Sequence, residues 1–402
     1  MDVRIYPSRL DGIIEATSSK AMAHRLFIAA ALADSKTEIY LNTRSADVTA
    51  TIGCLKSMGA SVVTDGDYYT VTPVWENLNK SATLDIGESV SALRFLLPVA
   101  AAIGENMSFS GIGKTQIKSL SEYIFFLKGC AATRDNLPFT VKGRLVNGEY
   151  RLKSQLNSQF LCGLSFALPL LKGDSEIIFA DKIPQSEYAD MTFAVLEEFG
   201  IKTEKRERGY FIPGGQGYRS PVKTAVDGDY SIAAYYMAAD AFGNRVRVTG
   251  LQDKSGRDCA VVKKLLLAFN AKGTVLDLKN NSDLMPILAV CACYSSSETV
   301  IRNVYKHRLK ETDRTDAMVA NLNKLGGKAF TTPDGLRIEG TNGLKGGAIV
   351  DSFGDARIAM AMAFAATLAE QPVTLLTAQA VNKVYSGFFN DFAKLGGKLS
   401  VL

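Results

Sequence analysis

The stretch "HRLKETDR", residues 307–314, holds six ionisable side chains in eight positions. On a helix Lys310 and Arg314, four apart, share one face with Glu311 beside them. Most runs of this kind are solvated surface. Two cations on one face still need a counter-charge, which is either Glu311 or an anionic substrate. Further cations stand where helices would begin: Lys20 and Arg25 in "SSKAMAHR" (18–25), Arg94 in "GESVSALR" (87–94) and Arg357 in "GDARIAM" (354–360). "LNSQF" (156–160) opens a similar run. A helix N-terminus presents free backbone N–H groups and the positive end of its dipole, so added cations would make an anion site. Arginine suits forked binding of carboxylate or phosphate, and lysine a point contact. No GxxxxGK[ST] loop is present, which disfavours a nucleoside triphosphatase.

The elements that would carry these residues repeat. "LKSMGASV", "FFLKGCAA", "LEEFGIKT", "LLAFNAKG", "LNKLGGKA" and "FAKLGGKL" place turn residues at Gly59, Gly129, Gly200, Asn270, Gly326 and Gly396, spaced 70, 71, 70, 56 and 70 apart. Gly or Asn after a helical pattern is a left-handed helix stop. The chain therefore reads as six units, each with a helix, its stop and a following strand. Each unit also has a run apolar on every side: 25–33, 93–104, 159–171, 232–243, 284–294 and 356–369. Such helices belong at the centre of a domain. Six units in 402 residues predict two domains of three, with the Gly- and Pro-rich segment 211–225 as a crossover.

Composition bounds the rest. At 47% hydrophobic and 22% charged residues the chain is globular, and a net charge of +5 is too small for a dedicated nucleic-acid binder. The start, "MDVRIYPSRLDG", reads as a strand and not a signal peptide, and apolar runs near 11 residues are too short to span a bilayer. Six scattered cysteines and two histidines, His24 and His307, make no metal site; a reduced, cytoplasmic protein is expected.

End to end, the chain resembles the 5-enolpyruvylshikimate-3-phosphate (EPSP) synthase family, the 3-phosphoshikimate 1-carboxyvinyltransferases. The resemblance is carried by "SSKAMAHRLFIAAALA", "DIGESVSALRFLLPVAA", "LNSQFLCGLSFALPLL", "SEYADMT", "VDGDYSIAAYYMAA", "RLKETDR", "GDARIAMAMA" and "NKVYSGFFNDF". It implies the enolpyruvyl transferase fold: a two-domain inside-out α/β barrel of six βαβαββ-type repeats with buried helices. Domains 1–17 plus 224–402 and 18–223 would flank a cleft holding the active site. It implies transfer of the enolpyruvyl group of phosphoenolpyruvate to the 5-hydroxyl of shikimate 3-phosphate, by a cytoplasmic monomer acting on small anions without metal, cofactor, nucleic acid or membrane.

The resemblance also implies roles. Lys20 would touch both substrates; Arg25, Asn157, Ser158, Gln159 and Lys310 would hold shikimate 3-phosphate. Arg94, Lys118, Gln159, Arg314, Arg357 and Lys383 would hold phosphoenolpyruvate. Glu311, with Lys20, would protonate the methylene carbon. Asn280 falls where the family's base is expected, and an amide cannot take a proton; Asp283 would serve if the loop were shifted. Ala21, Val90, Lys118 and Ala356 replace the family's Ser, Gly, Arg and His. These departures leave a second reading open, a divergent, weakly active or repurposed member that binds another anionic ring compound. The sister enzyme acting on UDP-N-acetylglucosamine uses a loop Cys that no cysteine here matches.

Overall fold

The structure, a computed structural model, describes residues 1–402 apart from 112–119, 154–157, 181–186, 252–256, 271–272 and 306–312, and not the side chains of 187, 257–260 and 270. Twelve α-helices are described, and they alternate in kind. Those that are buried almost all round are α1 (Lys20–Leu32), α3 (Val90–Ile103), α5 (Ser158–Ala167), α7 (Tyr230–Ala241), α9 (Met285–Cys293) and α11 (Ala356–Leu368). All nine residues of α9 are buried, as its unbroken apolar sequence requires. Between them lie α2 (Ala46–Ser57), α4 (Leu120–Phe125), α6 (Glu187–Glu198), α8 (Arg257–Leu267), α10 (Arg314–Lys324) and α12 (Phe388–Lys394).

Five of the six expected helix stops carry positive φ: Gly59, Gly129, Gly200, Gly326 and Gly396. At Gly59 no other residue fits, because φ is +116° and a Cβ would sit 2.3 Å from the Asn77 carbonyl oxygen. A strand follows each stop: 61–65, 130–132, 204–206, 328–332 and 398–401. It is the outer strand of a four-stranded sheet, and all five such sheets share one plan: a parallel pair, then two antiparallel strands. The next described strand after Asn270 is Thr274–Asp277, which opens the next sheet. Among the described residues no hairpin follows Asn270, and this unit's sheet consists of strands 11–15 and 245–249, which accounts for the 56-residue spacing.

The chain divides into two compact units, Met1–Ser19 with Asp227–Leu402, and Lys20–Val226. Each has its own hydrophobic core. Strand 11–15 precedes α1 but pairs with 245–249, while strand 223–225 precedes α7 but pairs with 37–40. The segments that lead from one unit to the other thus each leave their strand in a sheet other than that of the helix that follows.

Within Lys20–Val226 the tightest helix contact is α3 against α5. A Cβ on Gly163 of α5 would lie 2.6 Å from the Phe95 carbonyl oxygen and 2.8 Å from that of Arg94, so only glycine allows this approach. Pro98 inside α3 removes the N–H that would bond the Arg94 carbonyl.

Candidate active site

In Lys20–Val226 the polar residues gather at helix starts. Ser45 caps α2, taking the Val48 N–H at 3.3 Å, and thereby sets Asp47 in the first turn. Lys20, the first residue of α1, donates to Asp47 Oδ2 at 2.6 Å. Burial pushes the Asp47 carboxyl up, but the Lys20 ammonium and hydrogen bonds from Lys20 and Ser89 outweigh it and hold the carboxyl below its ordinary range. His24 is fully buried, with Nδ1 2.8 Å from Thr51 Oγ1; burial first, then the Lys20 charge, lowers its pKa to about 3. The ring is therefore held in its neutral form at neutral pH.

Ser89 caps α3, which makes Val90 the first helical residue. One turn on, Arg94 donates from Nε to Tyr123 Oη at 3.1 Å and from Nη1 to Gln159 Oε1 at 3.1 Å. Gln159 in turn donates from Nε2 to Ser91 Oγ at 2.8 Å. The Gly163 approach is what brings Gln159, one turn earlier on α5, within reach of α3. Arg94 thus aims the Gln159 amide. Arg25 is 1% exposed and spends its donors on Thr192 Oγ1, the Ala21 and Tyr188 carbonyls and Cys162 Sγ. The expectation that Arg25 and Arg94 meet a ligand finds both engaged with protein groups. Ser158 opens α5; Asn157 and Lys118 lie outside the described residues.

The other unit repeats the theme. Asp229, Asp313 and Asp355 cap α7, α10 and α11. Asp355 does two things at once. Oδ1 accepts the Arg357 N–H at 2.8 Å, and Oδ2 accepts Arg314 Nε at 2.5 Å. Burial raises its carboxyl, but the Arg314 charge and hydrogen bond, the Ile358 N–H and Arg357 hold it below the ordinary range. Asp283, in the 3₁₀ turn before α9, bridges two arginines: Oδ1 to Arg314 Nη1 at 3.0 Å, Oδ2 to Arg357 Nη2 at 3.3 Å. Arg357 also donates to Ser231 Oγ at 3.0 Å, and Tyr235 Oη donates to the Arg357 carbonyl. Lys383 donates to the Gly354 carbonyl at 2.9 Å, in the loop that leads into α11.

Two guanidinium groups held at helix N-termini around one carboxylate can take an anion and offer a base beside it. That carboxylate is Asp283. Asn280 is exposed in the turn after strand 274–277, and the carboxylate that sits between the two arginines is Asp283, three residues later. Ala356 is buried in the first turn of α11. Lys310 and Glu311 lie outside the described residues. Asp47 and Asp355 escaped the sequence reading, although "S-A-D" and "G-D-A-R" at helix starts carry the signal of a capped first turn.

Residues 5–392 match the family profile described as EPSP synthase (3-phosphoshikimate 1-carboxyvinyltransferase). The chain belongs to the EPSP synthase family. Relatives named 3-phosphoshikimate 1-carboxyvinyltransferase include one from Clostridium botulinum (strain Alaska E43 / Type E3), 34% identical, with 98% of this chain and 97% of that one covered. Another, from Clostridium novyi (strain NT), is 35% identical with 98% of each covered. Among solved structures, an EPSP synthase from Acinetobacter baumannii superposes with a TM-score of 0.87 at 20% identity, covering 100% of both chains. The enolpyruvyl transferase NikO from Streptomyces tendae gives 0.80 at 17% identity, covering 99% and 98%. These two likenesses show the enolpyruvyl transferase fold. In this EPSP synthase family member no described helix is long and apolar enough to cross a membrane.

Proposed function

We propose that this chain transfers the enolpyruvyl group of phosphoenolpyruvate to the 5-hydroxyl of shikimate 3-phosphate, releasing inorganic phosphate, in the shikimate pathway to aromatic amino acids. Family membership and relatives at 34–35% identity over nearly the whole chain support the activity. The observation that carries the site reading is Asp283 bridged by Arg314 and Arg357 at the starts of α10 and α11.

Arg314, Arg357 and Lys383 bind the phosphate and carboxylate of phosphoenolpyruvate. Ser158, Gln159 and Lys20 face shikimate 3-phosphate, with Asn157 and Lys310 added from the family resemblance. Asp283 accepts the proton of the 5-hydroxyl as its oxygen attacks C2 of phosphoenolpyruvate. The methylene carbon takes a proton from Glu311 or Lys20, giving a tetrahedral adduct. Loss of a proton from that methyl group then expels phosphate and restores the double bond. Arg25 would contact shikimate 3-phosphate and Arg94 phosphoenolpyruvate while both hold protein partners, and Arg94 also aims Gln159. The enzyme works as a cytoplasmic monomer on two small anions.

The test is phosphate release from purified protein given both substrates, with each alone as control. Release that needs both is expected. Release no higher than the controls would overturn the proposal in favour of a scaffold that binds a different anionic ring compound.

A further inference from the structure

Two polar rungs, one helical turn apart, join α1 to α2. Lys20 meets Asp47 at 2.6 Å, and four residues further along each helix His24 meets Thr51 at 2.8 Å. Residues four apart share a helix face, so the two rungs lie one above the other. They differ in surroundings. The first is partly open, with side chains 31% and 26% exposed. The second is sealed, with His24 at 1% and Thr51 at 0%. The His24 ring also stacks on Phe95 of α3, centroids 5.5 Å apart and planes 21° from parallel.

A buried polar pair is costly to break, because each partner loses both its hydrogen bond and access to water. The sealed rung therefore resists sliding or rotation of α1 on α2. An open ion pair on a long, flexible lysine has no such hold of its own. We infer that His24 and Thr51 are positioning residues for Lys20: their buried bond sets the register of α1 on α2, and Asp47 then presents the ammonium to the substrates. The inference rests on the proposed reading of Lys20 as a substrate contact.

The experiment measures the Kd of shikimate 3-phosphate by titration calorimetry for the parent protein, Thr51→Val, Lys20→Met and the double variant. Thr51→Val is expected to weaken binding about fivefold, the scale of one net hydrogen bond. In the Lys20→Met background the same change is expected to have almost no effect, because non-additivity marks residues that act through one another. His24→Asn, which retains a polar atom for Thr51, is expected to bind within about twofold of the parent. An equal loss from Thr51→Val in both backgrounds overturns the inference, as does no loss in the parent when Lys20→Met binds weakly. If Lys20→Met binds normally, the reading of Lys20 fails and the inference falls with it, a distinct result. Should Thr51→Val not fold, Thr51→Ala is read in the same two backgrounds.

Discussion

His24 should make the unit Lys20–Val226 sensitive to mild acid. In the folded chain its pKa is about 3, against an ordinary value of 6.5. Between those values the unfolded chain takes up a proton that the folded chain refuses. The stability from His24 is thus fully present above pH 6.5 and is lost as pH falls. At pH 5 the unfolded state gains about 2 kcal/mol from this one group, and at pH 3 about 4 kcal/mol. For a domain of this size 2 kcal/mol lowers Tm by about 4–8 °C. Asp47 and Asp355, whose carboxyls are held low, give losses of the same sign, but only below their ordinary value of 3.8. A comparison kept above pH 5 therefore isolates His24. The variant is His24→Asn, which retains a polar atom for Thr51 and cannot titrate. Thermal unfolding from pH 7.5 to pH 5 should show the parent losing Tm and the variant losing about 2 kcal/mol less. His307 is present in both proteins and cancels. Parallel curves would refute the claim that a neutral, sealed imidazole sits in this core.

Three further changes test other parts of the site. Gly163→Ala puts a Cβ against two carbonyl oxygens of α3, which should cost about 1–3 kcal/mol in urea unfolding and lower kcat/KM by moving Gln159; unchanged values in both would show that the helices can part without harm. Asp283→Asn should reduce turnover by about 10² or more while Asn280→Asp leaves it alone; the reverse pattern would return the base to position 280. Val90→Gly should tighten phosphoenolpyruvate binding by clearing the first turn of α3, at a helix cost of about 0.5–1 kcal/mol, and an unchanged Kd would remove Val90 from the pocket.

Much of the fold was legible because its signals are local. Helices such as α9 and α11 are apolar on every side, and that alone places them at a centre. Gly59 and its counterparts mark helix ends through backbone conformation, which a single residue type reveals. The spacing of 56 departs from the others, but only strand pairing among the described residues shows what that departure is, a unit without the hairpin. The placement of strands 11–15 and 223–225 was not legible, because pairing across more than 180 residues leaves no periodicity. Of the candidate site residues, Lys20, Arg314 and Arg357 stand out by charge and position, while Gln159 follows only from the family resemblance. Partners do not stand out, since Tyr123 meets Arg94 and Asp355 meets Arg314 only through packing. The choice between Asn280 and Asp283 was not legible for a similar reason: within a short turn, no repeat fixes which residue faces the arginines.

The strand Val3–Tyr6 has a consequence for how the protein is made. It lies between strands 373–376 and 398–401, with Val3 and Ile5 fully buried. At cellular synthesis rates it waits about 20–70 s, some 370 residues, for its neighbours to emerge. The unit Lys20–Val226 is complete long before then. The ends of the chain also hold the turn that carries Lys383: Thr377 N–H donates to Asp2 Oδ1 at 2.8 Å, and Ala378 N–H to the Met1 carbonyl at 2.9 Å. The turn that carries Lys383 thus depends on residues some 375 positions earlier in the chain.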